Sequence, residues 1–170
     1  MIRRGRGRAL RPRPMGYRGA VTDAEFVPAG FVPPRELTPP GMELEPLGPQ
    51  HNERDYAAWT SSMEHIRATP GFVGRKWPRE MTLAENRADL ERHARDFAEL
   101  RGFTYTVREP GGGDVIGCVY IYPLEGAAGV AAVSSWVRAD RAELDEPLHR
   151  AVTEWLERDW PFPRFEYAPR

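Results

Sequence analysis

Two apolar runs decide the fold: Asp114-Val-Ile-Gly-Cys-Val-Tyr-Ile-Tyr-Pro-Leu124 and, after a small-residue turn from Gly126 to Gly129, Val130-Ala-Ala-Val-Ser-Ser-Trp-Val-Arg138. Both are rich in the branched and aromatic residues that suit a pleated surface, and both are bounded by turn formers, so each reads as a strand. The loop that follows, Ala139-Asp-Arg-Ala-Glu-Leu-Asp-Glu-Pro147, contains no glycine and several carboxylates. An amphipathic helix begins near Asp145 and places Leu148, Ala151, Val152, Trp155 and Leu156 on one side. Asp145 is the expected N-cap, with Glu146 and Pro147 in the first turn. Pro161-Phe-Pro stops the helix, and Phe165-Glu-Tyr167 reads as a last short strand.

Upstream of the two strands, Pro110-Gly-Gly-Gly-Asp is a hairpin turn that pairs Phe103-Thr-Tyr-Thr-Val107 with Val115–Leu124. Gly111-Gly-Gly113 lies within that hairpin and does not lead from a strand into a helix, so it is no phosphate cradle. Thr82-Leu-Ala-Glu85 is a capping box, and Leu83, Leu90, Ala94, Phe97 and Leu100 continue from it as the buried stripe of a helix. Tyr56, Trp59, Met63 and Ile66 recur at spacings of three and four, predicting one helix over His51 to Arg67. Between these helices, Pro70, Gly71, Gly74 and Pro78 force a loop that carries Phe72 and Trp77 as exposed aromatics. Met42-Glu-Leu-Glu-Pro46 alternates apolar and acidic side chains, as an edge strand does.

The composition sets outer bounds. With 170 residues, 41% of them hydrophobic and 29% charged, the chain fits one soluble globular domain. Its longest apolar run is about half the length needed to cross a bilayer, so no membrane partner is expected and a cytoplasmic location is. The single cysteine, Cys118, packs as a small hydrophobe. The four histidines share no metal-ligand spacing, and no metal site is expected; helix-surface pairing of His93 with Glu91 and of His149 with Glu146 is. Charge is polarised: seven arginines and no acid in residues 1–20 give +7, leaving −8 on the rest. Residues 1–20 read as a disordered basic tail, or as an untranslated extension with the natural start at Val21; nucleic acid is not an expected partner. Residues 21–41 are a proline-rich segment, and 42–170 form the domain.

The order strand, helix, helix, three antiparallel strands, helix, strand resembles the first two thirds of the GNAT superfamily of acyl-CoA-dependent N-acetyltransferases, most closely the branch that acetylates ribosomal-protein N-termini and related amines. Asp114-Val-Ile-Gly-Cys118 matches the family's third strand, and Ser135-Trp-Val-Arg-Ala139 its fourth, over a likeness running from about Met42 to Tyr167. The resemblance implies an α+β fold with a mostly antiparallel sheet of about five strands and three helices, without the family's C-terminal strands. It implies acetyl-CoA as co-substrate, held along Ser135, Trp136 and Val137 with its phosphates at Arg138 and Arg141, and a small-molecule or peptide amine as acceptor near Phe72–Trp77. Glu166 is then the candidate base, and Tyr167 the candidate thiolate-protonating acid, with Tyr120 and Tyr122 as substitutes. The family's cofactor loop reads roughly Arg-x-x-Gly-x-Gly; here Glu143 and Asp145 fall near the glycines, where a carboxylate repels a phosphate and occupies its donors. The alternative is a GNAT-like domain that binds no CoA and serves as a small-ligand or protein-interaction module. Ending the sheet at Phe165–Tyr167 leaves an edge that a homodimer or segment 26–40 is expected to cover.

Overall fold

A computed structural model describes residues 25–170, and the expectation for residues 1–20 lies outside them. The described residues form one five-stranded sheet in sequence order: β1 (Glu43–Pro46), β2 (Phe103–Arg108), β3 (Val115–Pro123), β4 (Val130–Val137) and β5 (Arg164–Tyr167). The first four strands are antiparallel neighbours, and β5 lies parallel to β4. Four α-helices accompany the sheet: α1 (Asn52–Thr60), α2 (Met63–Ala68), α3 (Leu83–Ala98) and α4 (Asp145–Asp159).

Alternation along the strands sends side chains to opposite faces. Val119, Ile121 and Val133 pack with Leu148, Val152, Trp155 and Leu156 of α4. Cys118 and Trp136 pack instead with Trp59 of α1, Ile66 of α2 and Leu90 of α3. Cys118 is fully buried, as its apolar context implies, and burial pushes its thiol pKa up. The capping box of α3 forms as read: the Glu85 amide donates to Thr82 Oγ1 at 3.1 Å, and the Thr82 amide to Glu85 Oε2 at 2.7 Å.

Three expectations are corrected. The single helix over His51–Arg67 is two, which makes four helices and not three. Thr60-Ser61-Ser62 explains the break, because the Thr60 hydroxyl turns back to Tyr56 O (2.6 Å) and the Ser61 hydroxyl to Ala58 O (2.8 Å), offering the backbone an alternative to continued helix. Ser62 Oγ then accepts the Ala139 amide at 2.9 Å, so the break anchors the loop after β4. The N-cap of α4 is Leu144, not Asp145, since a 3-10 turn over Ala139–Leu144 delivers the chain into the helix. The strand-like pairing of segment 26–40 is with β1, not β5: Leu37 and Leu44 exchange both backbone hydrogen bonds, and Tyr105 OH donates to Pro34 O, while Phe26 at the start of the segment stacks on Phe162 ahead of β5. No helix among the described residues is long and apolar enough to cross a membrane.

Candidate functional site

β4 and β5 pair from Val130↔Arg164 to Val133↔Tyr167, where β5 ends. β4 continues to Val137 against β3 alone, so the Ser134–Val137 stretch presents a backbone edge to a gap. Arg170 fills that gap. Its guanidinium donates through Nη2 to Ser135 O (2.9 Å) and through Nη1 to Ala168 O (3.0 Å) and Pro70 O (3.2 Å), while its Nε lies 2.5 Å from Asp145 Oδ2 in an ion pair. Its side chain is only 5% exposed. The same edge holds Ser135 Oγ and Tyr167 OH 2.5 Å apart, and the Tyr167 ring lies on His149 with centroids separated by 4.0 Å. Burial raises the Tyr167 phenol to about 12 and lowers the His149 imidazole, which Arg170 lowers further.

The predicted site residues separate into those the gap gathers and those it does not. Ser135 and Tyr167 face each other at the gap. Trp136 and Val137 are buried in β4, and the Trp136 indole donates to Tyr120 OH at 3.2 Å. Arg138 is turned to Asp140 (Nε–Oδ1 2.9 Å), and Arg141 is paired with Glu109 on the β2–β3 hairpin, so neither is a free phosphate contact. Glu143 is exposed on the 3-10 turn, and Glu166 is exposed on β5, where it alternates with the gap residue Tyr167. His149 stacks on Tyr167 and makes no ion pair with Glu146, which corrects the surface-pairing expectation.

On the α1–α3 face beside this gap lies a cleft of about 420 Å³. Its floor is β3 and β4, through Tyr120, Tyr122, Ala132 and Ser134; its walls are the loop from Phe72 to Met81 and the α3 residues Asp89, Arg92 and His93. Phe72 is buried and Trp77 half-buried, correcting the reading of both as exposed: their rings pack on each other at 5.8 Å and on Tyr120 at 6.3 and 6.2 Å. His93 is also buried and is held by tertiary partners in place of Glu91, with Nδ1 2.7 Å from Tyr122 OH and 2.9 Å from Thr104 Oγ1. Tyr122 donates to Asp96 Oδ2 at 3.0 Å, and burial raises its phenol to about 12. Burial alone would raise the Asp89 carboxyl, but His93 and then Arg92, which donates to Asp89 Oδ1 at 2.5 Å, together outweigh it and hold the carboxyl at about 2. Sequence reasoning found the aromatic loop and both tyrosines but missed Arg170, Arg75, Arg79 and Asp89. Arg170 is unmarked because its partners, Ser135 and Asp145, lie in distant segments, and the others because facing a cleft is a tertiary property that their local neighbours do not announce.

The acetyl-CoA that the resemblance implies does not fit the gap in this arrangement. The β4 edge it would lie along is already bonded to Arg170, and the first turn of α4, where phosphates would sit, carries Asp145 and Glu146.

No protein-family model matches the sequence, and neither does any curated protein. Solved structures do match. The ribosomal-protein-S5-alanine acetyltransferase from Vibrio fischeri superposes with a TM-score of 0.62 at 11% identity over 79% of this chain and 73% of that one. RimL, a ribosomal L7/L12 alpha-N-protein acetyltransferase, gives a TM-score of 0.62 at 13% identity over 81% of this chain and 76% of its own in the apo form. Its complex with coenzyme A gives 0.60 at 12% identity, over 75% and 70%. At such identities the likeness speaks for the fold alone: the chain has the α+β fold of these N-acetyltransferases, the fold that the GNAT resemblance implies.

Proposed function

We propose that the protein is a GNAT-type N-acetyltransferase that takes an acetyl group from acetyl-CoA and delivers it to an amine held in the Phe72–Trp77 cleft. One observation carries the reading: β4 runs on beyond the end of β5 as an unpaired edge, and Ser134 on it lines a built cleft while Ser135 lines the gap that Arg170 occupies. The chain's own contribution would be to seat the amine among the rings of the cleft; acetyl-CoA would lie along the Ser135 edge only with Arg170 displaced from it. Relatives of this fold that act on ribosomal proteins support a peptide or small-molecule amine as acceptor.

A second reading is favoured by Arg170 itself. With its guanidinium in the gap and Asp145 at the helix start, the domain has the form of a ligand-binding module that no longer takes CoA. Calorimetric titration with acetyl-CoA separates the two. Micromolar binding by the unmodified protein supports transfer; no binding at millimolar concentration by either the unmodified protein or an Arg170→Ala variant supports the module.

A further inference from the structure

The cleft has two features that point to different ligands. Its rings, Phe72, Trp77 and Tyr120, together with Asp89, have the makings of a cage for a cation. The charge balance argues otherwise. Asp89 is engaged by Arg92 and has His93 Nε2 3.6 Å away, so its charge is already met by the protein. Arg75 and Arg79, which line the same cleft, have no acidic partner among the described residues. Arg75 lies over the Phe72 ring at 5.4 Å from its centroid, and Arg79 donates only to Glu80 O. The cleft thus offers the half-buried ring of Trp77 and two exposed guanidiniums that form no ion pair among the described residues, Arg79 interacting only at longer range with Glu85; guanidiniums are planar donors suited to carboxylate or phosphate oxygens.

From this charge balance we infer that the cleft selects an aromatic anion, a planar ring bearing a carboxylate or a phosphate, with its ring against Trp77 and its charge at Arg75 and Arg79. The inference deepens the proposed function by naming the acceptor class: an aromatic amine with an anionic group, not a simple cationic amine. A cleft of about 420 Å³ has room for such a molecule.

Binding is measured on the full chain without acetyl-CoA, so the outcome does not depend on transfer. Calorimetry with 4-aminobenzoate and adenosine 5′-monophosphate distinguishes carboxylate from phosphate; benzylamine and adenosine are the cationic and neutral counterparts. At least one anion is expected to bind tenfold or more tightly than its counterpart. That affinity should fall with rising salt and drop at least tenfold in an Arg75→Ala/Arg79→Ala double variant, whose exposed substitutions leave the melting temperature near that of the unmodified protein. Tighter binding of benzylamine, unchanged anion affinity in the double variant, or no anion binding at millimolar concentration would each overturn the inference. Anion binding in a protein that fails to bind acetyl-CoA would remove the transfer reading and leave this one standing.

Discussion

Gly117 shows how one residue can be legible in sequence for a reason visible only in three dimensions. It is the glycine of the Val-Ile-Gly strand, and a Cβ built on it would stand 2.2 Å from Trp136 O on β4, a backbone atom that cannot move aside. Gly117→Ala is therefore expected to destabilise the fold by roughly 2 kcal/mol, read from urea denaturation. Asp55 is the opposite case, since nothing in its helix announces a buried acid. Asn86, which reaches it from α3 at 3.0 Å, is 31 residues away. Burial pushes the Asp55 carboxyl up to about 6, and the Asn86 hydrogen bond offsets this only in part. A folded pKa raised above the unfolded one favours the protonated form, so the associated stability is full below pH ~3.8 and is lost as pH rises through ~6, for a total of about 3 kcal/mol. Unfolding free energies at pH 4.5 and 7.5 are expected to show the unmodified protein losing more stability over that interval than Asp55→Asn; equal losses would contradict the assignment.

Among the elements, strands were the easiest to read, because their alternation and turn residues are local. The helix over His51–Arg67 split where three consecutive hydroxyl side chains compete for backbone groups, an effect that a periodicity argument ignores. The start of α4 was placed well but explained wrongly, because Asp145 serves an arginine 25 positions onward and not the helix amides. This pairing couples two obstacles to a phosphate-bearing ligand. Removing Arg170 clears the gap and also bares the Asp145 carboxylate. Arg170→Ala alone is expected to lose about 2 kcal/mol of stability, and adding Asp145→Asn should restore part of it. Acetyl-CoA affinity should rise further in the double variant than the two single changes predict together. A double-mutant cycle by calorimetry and thermal melting tests this, and strict additivity would separate the two residues.

At the scale of the whole molecule, the sequence announced an α+β sheet with a free edge at β5 and a proline-rich segment available to cover something; it did not say which edge. The bridge from Leu37 to Leu44 fixes the later part of the segment on β1, while Phe31 on Trp160 and Phe26 on Phe162 tie its start to the connection between α4 and β5; pairings over such separations leave no trace in local pattern. The outer edge of β5 carries no strand among the described residues, and self-association through it is expected in sedimentation at high protein concentration. The backbone bridge between Leu37 and Leu44 then acquires a second meaning. A sheet open on both sides can add copies without limit, as a fibre does, whereas one sealed on one side has a valence of one and can only close upon a single like edge. The prolines and the Leu37 bridge act in this sense as a chain terminator for the sheet: disturbing them, for example by Leu37→Pro, is expected to turn a self-limiting pair into material that keeps growing.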